Sequence, residues 1–133
     1  MILDTSAILA IFLKEPGYES IVDRLAAEDE VGIGAPTLTE TGIVLEARLG
    51  ASASGWLSQF IAEFRVVSIP FGADHWREAV AAYSRFGRGR SPAALNFGDC
   101  LSYAVARLSG EPLLCVGDDF TRTDLPLVEI HRR

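Results

Sequence analysis

Residues 1–13 read MILDTSAILAIFL, and how they are interpreted decides the fold. Met1, Ile2 and Leu3 are apolar, Asp4 interrupts them, and Ala7, Ile8, Ile11 and Phe12 then recur at the spacing of one helical face. The segment predicts a buried strand over residues 1–4 running straight into a helix, with Asp4 at the junction. An ionised carboxylate cannot be buried without partners, so Asp4 must be exposed, hydrogen-bonded or facing a cation.

The same alternation continues along the chain. A second helix is expected over 18–28, carrying Ile21, Val22 and Leu25, and a strand over Val31 to Gly34. Pro36 opens a helix marked by Leu38, Leu45 and Leu49 and closed by Gly50. Trp56, Leu57, Phe60, Ile61 and Phe64 stripe another, which feeds the β-branched run Val66 to Ile69. From Asp74 to Phe86 a further helix is expected, with Trp76, Ala79, Val80 and Tyr83 inward, followed by the loop GRGRSPAALN over 87–96. Asn96 suits the cap of a helix carrying Leu101, Ala104, Val105 and Leu108, which Gly110 ends before a strand over Pro112 to Val116. A last strand is expected over Leu127 to Ile130. Strands alternating with helices predict an α/β fold, a three-layer α/β/α sandwich with a mostly parallel central sheet, as one domain over 1–133.

Composition narrows the class. With 49% hydrophobic and 23% charged residues the chain is an ordinary globular one, not a disordered one. The opening run lacks a basic leader and the length to span a bilayer, so no membrane association is expected and the cytoplasm is the expected compartment. Cys100 and Cys115 lie in apolar surroundings and read as reduced core residues. A net charge of −6 excludes gripping nucleic acid by bulk charge, so any such contact must be local. The densest cations lie in RFGRGR, residues 85–90, which marks Arg85, Arg88 and Arg90 as candidate substrate contacts; a solvated loop is the plainer alternative.

Parallel sheets bind ligands at the carboxyl ends of their strands. Asp4 ends the first strand, Asp118 and Asp119 follow the strand at 112–116, and Glu40 and Asp99 sit near helix starts, so all five acids belong at one rim. Each alone could be a helix cap, a dipole partner or a turn residue. Together they would repel one another, and a divalent cation resolves the conflict. Oxygen ligation without His or Cys is the pattern of Mg²⁺ or Mn²⁺, and His75 and His131 read as structural. Such an ion can orient a phosphodiester and activate water, which is nuclease chemistry, although phosphatases use similar ingredients. If Asp4 faces other carboxylates, Asp4→Asn should stabilise the metal-free protein; if it only caps a helix, stability should scarcely change.

Four motifs in order, ILDTSA (2–7), TLTE (37–40), LNFGDCLSYAVAR (95–107) and PLLCVGDDFTRTDL (112–125), resemble the PIN-domain ribonucleases, specifically the VapC toxins of bacterial toxin–antitoxin pairs. The resemblance covers nearly the whole chain. It implies an Mg²⁺- or Mn²⁺-dependent endoribonuclease in which Asp4 and Asp99 are the principal metal ligands. Glu40 would complete the set or position water, and Thr5 or Ser6 would bond a ligand carboxylate or phosphate. The chain departs from the family pattern at Gly117, where many members carry an acid or Asn, so the fourth acid is Asp119 or Asp118, with Asp119 favoured. Glu46, further along the helix of Glu40, is a decoy. The family also implies an RNA substrate such as a tRNA or rRNA loop, a VapB-type antitoxin and a homodimer. The stripes Trp56, Phe60, Phe64 and Ile8, Ile11, Phe12 are candidate partner surfaces, with core packing as the commoner use. Two other readings compete. A phosphoaspartate-forming phosphatase usually has a second Asp where Ser6 stands, and a non-catalytic binding module would use the acids only as caps.

Overall fold

The computed structural model describes residues 1–130, so His131 lies outside the described residues. Four strands, β1 (Ile2–Leu3), β2 (Val31–Gly34), β3 (Val66–Ile69) and β4 (Leu113–Leu114), alternate with six helices. The helices are α1 (Thr5–Phe12), α2 (Tyr18–Ala26), α3 (Ala35–Leu49), α4 (Ala53–Glu63), α5 (Ala73–Phe86) and α6 (Phe97–Ser109). Every strand pair is parallel, in the order β3-β2-β1-β4.

The two faces of the sheet follow from the two-residue period of a strand. Leu3, Val31, Ile33 and Leu114 face one way, into a core with Ile8, Ile21, Leu25, Leu45, Leu57 and Phe60 from α1 to α4. Ile2 and Leu113 face the other way, into a core with Ala79, Ala82, Tyr103 and Val105 from α5 and α6. The α/β/α sandwich is therefore present with both faces covered. Gly34 lets α6 approach β2 closely, because a Cβ there would stand 2.7 Å from Val105 Cγ2. Among the described residues no helix is long and apolar enough to cross a membrane.

Two expectations are corrected. Leu127 forms only an isolated bridge to Leu113, supported by Val128 N–H donating to Leu113 O, so no strand forms over Leu127 to Ile130. On α5 the inward residues are Ala79 and Ala82, while Trp76, Val80 and Tyr83 are exposed. Small residues on that face let α5 pack closely on α6, which rotates the large apolar side chains outward. The stripes of α1 and α4 pack on each other, the commoner use of such stripes, with the Phe12 and Phe60 rings 5.8 Å apart and Phe60 and Phe64 4.9 Å apart. Only Trp56 of those stripes is exposed.

Candidate active site

Asp4 leaves β1 in an extended conformation and caps α1 by accepting from Ser6 N–H at 3.1 Å. Its backbone N–H also donates to Leu114 O, which ties it to the end of β4. The carboxylate is buried and carries two further bonds: Ser6 Oγ donates to Oδ2 and Ser102 Oγ donates to Oδ1, each at 2.6 Å. Ser6 Oγ accepts in turn from Val116 N–H at 3.0 Å. Asp4 is thus a cap and also a charge held in a fixed rotamer without a cationic partner among these contacts. Short bonds of this kind, with an ionised acceptor, are the strong ones.

Glu40 stands in the second turn of α3, where Thr5 Oγ1 donates to its Oε1 at 2.8 Å. Thr5 Oγ1 also lies 3.0 Å from Thr41 Oγ1, whose hydroxyl donates to Thr37 O at 2.8 Å. The Glu40 carboxylate lies over the first turn of α6: a Cβ on Gly98 would be 2.7 Å from Oε2. Gly98 is therefore the bare backbone that lets α3 and α6 bring Glu40 beside Asp99.

Asp99 and Asn96 cap α6 reciprocally. Asp99 N–H donates to Asn96 Oδ1 at 2.8 Å, and Asn96 N–H donates to Asp99 Oδ2 at 3.0 Å. Burial pushes the Asp99 carboxyl up to about 6; the bond from Asn96 opposes this, and the charges of Asp119, Asp4 and Glu40 add to it. Cys115 is pushed up to about 12, again by burial first and then by Asp4, Asp119 and Asp99. Asp119 is therefore among the charges that act on both Asp99 and Cys115. Asp118 is exposed, and its carbonyl closes the turn with Thr121. Glu46 is exposed on α3, and His75 accepts from Gly72 N–H at 3.1 Å as a local cap.

Among the described residues no three side chains stand close enough to hold one metal ion as they lie. Asp99 Oδ2 is already engaged by its own helix terminus. The donor set nonetheless fits a hard cation, because Mg²⁺ keeps several waters and needs only one or two carboxylates directly. Asp4 offers one of these from a rigid setting. Sequence reasoning missed Ser102, whose signal was a small hydroxyl one helical turn after Asp99 in a mostly apolar run.

The cationic loop divides in two. Arg85 donates to Asp124 Oδ2 at 2.7 Å, where Arg107 also approaches to 3.3 Å and Tyr103 donates to Oδ1 at 2.5 Å. Arg85 is thus engaged in tying α5 to the C-terminal segment. Arg88 and Arg90 are exposed, with the Arg90 guanidinium 5.7 Å from the centre of the Tyr83 ring. Beside Glu40 lies an apolar groove of about 650 Å³ whose lining includes Ile43, Val44, Phe71, Phe97 and Leu101. Across Phe97 and Leu101 it meets a second groove of about 290 Å³ that includes Val80 and Tyr83.

Comparison with known proteins agrees with this fold. The family model described as PIN domain matches residues 1–125. A protein named Ribonuclease VapC, from Mycolicibacterium smegmatis, is 38% identical over 128 residues, covering 96% of this chain and 99% of that protein. Among solved structures, the chain is similar to VapC20 from Mycobacterium tuberculosis, titled a sarcin-ricin loop cleaving toxin, with a TM-score of 0.77 at 22% identity. That match covers 96% of this chain and 97% of that one. It is also similar to VapBC2 from Rickettsia felis, crystallised with a DNA fragment from their promoter, with a TM-score of 0.76 at 18% identity and 96% coverage of both chains.

Proposed function

The chain belongs to the PIN-domain family, among its VapC ribonucleases, and on that premise we propose that it is an Mg²⁺- or Mn²⁺-dependent endoribonuclease, the toxin of a type II toxin–antitoxin pair, working as one domain over residues 1–133 in the cytoplasm. The observation that carries this reading is the gathering of Asp4, Glu40, Asp99 and Asp119 about one end of the parallel sheet, where Asp99 feels the charge of the other three.

Asp4 and Asp99 would hold the ion, with Glu40 and Asp119 as the further acids beside it. When bound, the ion supplies a Lewis acid for the scissile phosphate and a water of lowered pKa. Ser6 holds Asp4 in place, and Thr5 holds Glu40, whose carboxylate would orient an attacking water and take up its proton. Arg88 and Arg90 would bind flanking phosphates of a tRNA or rRNA loop, while Arg85 anchors the base of their loop through Asp124. The sarcin-ricin loop named for the M. tuberculosis relative supports a structured RNA loop as substrate. An acidic pocket is complementary to an arginine on a VapB-type antitoxin, a partner also supported by the R. felis VapBC2 relative.

A homodimer would use the face formed by α3, α5 and the start of α6. There Ile43 is 64% exposed, Trp76 53%, Val80 57% and Phe97 80%, together with Tyr83. Using typical side-chain areas these expose on the order of 600 Å², approaching the roughly 800 Å² per partner of a stable interface. A tract this apolar and contiguous marks a contact surface.

Cleavage of a loop-containing RNA by purified protein, with EDTA and with Mg²⁺ or Mn²⁺ restored, tests the activity. We expect cleavage to stop in EDTA and to return with either ion. Undiminished cleavage by metal-free protein, retained in Asp99→Ala, would overturn the reading.

A further inference from the structure

We propose that Ser102 is a positioning residue that leaves the metal ion a single lone pair of Asp4, on Oδ1; this rests on the metal reading above. A carboxylate offers about four in-plane lone-pair sites, two on each oxygen. On Asp4, Oδ2 has both of its sites taken, by Ser6 N–H at 3.1 Å and Ser6 Oγ at 2.6 Å. Oδ1 has one taken, by Ser102 Oγ at 2.6 Å. One site is left, on Oδ1, so Asp4 can bind a cation through that atom alone.

The Ser6 bonds follow from the local turn after β1 and would form whatever packed above them. Ser102 comes from α6, 98 residues along the chain, and is 1% exposed. Its hydroxyl has one proton, and the Asp4 bond at 2.6 Å outcompetes the 3.5 Å approach to Thr37 Oγ1. It stands one turn below Asp99 on the same face of α6, so a single rigid helix sets both the second ligand and the orientation of the first. Without the Ser102 proton both lone pairs of Oδ1 are open, and Asp4 no longer offers an ion one fixed direction. Outer partners that orient a ligand in this way typically contribute tenfold or more to metal affinity.

Calorimetric titration of metal-free protein with Mn²⁺, paired with thermal melts in EDTA, tests the assignment. The variants are Ser102→Ala, which removes the donor, and Ser102→Cys, which keeps nearly the same size with a weaker donor. Ser109→Ala, in the same helix with its hydroxyl on Val105 O, serves as the control. We expect Mn²⁺ affinity to fall by about tenfold or more in Ser102→Ala, to fall less in Ser102→Cys, and to stay unchanged in Ser109→Ala. If Ser102→Ala does not fold, the Cys variant carries the test. Mn²⁺ affinity within twofold of wild type in a folded Ser102 variant, whatever its melting temperature, would show Ser102 to be a core serine and overturn the proposal. No Mn²⁺ binding by the wild type would overturn the metal reading itself, and this proposal with it.

Discussion

Replacing Asp99 by Asn should stabilise the metal-free protein, by an amount that depends on pH. Burial, reinforced by Asp119, Asp4 and Glu40, raises the Asp99 carboxyl from the ordinary 3.8 to about 6. The folded protein therefore holds this proton to a higher pH than the unfolded chain does. Ionising Asp99 costs folding nothing below pH 3.8, progressively more up to about pH 6, and a constant amount above it. The unscreened penalty is about 3 kcal/mol, and because the carboxyl is half-exposed, screening reduces it to on the order of 1–1.5 kcal/mol. Asn escapes this penalty and can still accept from Asn96 N–H, so the cap survives. For a chain of this size the gain corresponds to a rise of roughly 3–7 °C in Tm. The assay is a set of thermal melts of wild type and Asp99→Asn in EDTA at pH 4.5, 6 and 7.5. The variant should show about a third of its full gain at pH 4.5 and all of it at pH 7.5. Added Mn²⁺ should raise the wild type more than the variant, which lacks a ligand. An Asp99→Asn protein that melts at or below wild type in EDTA at pH 7.5, or that gains equally at every pH, would show that the acids do not meet.

Asp4→Asn should move the other way. Three donors converge on Asp4, and an amide would turn its NH₂ toward one of them, so the metal-free protein should lose about 1–2 kcal/mol in urea unfolding at pH 7.5. A variant more stable than wild type would show that repulsion outweighs those bonds. Gly98→Ala should displace the Glu40 carboxylate, whose Oε2 stands 2.7 Å from the added methyl, and reduce RNA cleavage at least tenfold. Because Glu40 is exposed and its end can swing aside, Tm should change little; an Ala variant of full activity would remove Glu40 from the reaction. Changing Arg88 and Arg90 together to Ala should weaken RNA binding and flatten its dependence on salt, read by filter binding from 50 to 200 mM NaCl. An unchanged slope would return both residues to the role of a solvated loop.

The order of elements was readable in the chain because apolar periodicity and punctuation are local signals. The strands at Val31 to Gly34 and Val66 to Ile69 occur where predicted, and Asn96 and Gly110 bound α6 as expected. The rim of acids could also be inferred, since each lies at an element end and a parallel sheet sends all such ends one way. What periodicity could not decide is which apolar face of a helix is inward when both are apolar. On α5 the close approach of α6 selected Ala79 and Ala82 and left Trp76, Val80 and Tyr83 outside, whereas on α1 and α4 the large residues met each other. Leu127 to Ile130 read as a strand by composition, yet only Leu127 found a bridging partner. That the charge of Asp119, twenty residues further along the chain, acts on Asp99 follows from the fold and from nothing local to either residue. The expected effect of neutralising Asp4 changed sign once Ser102, distant in sequence, was seen to donate to it. Local pattern determines where the chain turns and which residues sit at the turns. Charge, hydrogen bonding and burial at a site depend on distances between segments far apart in sequence, and only tertiary packing sets those distances.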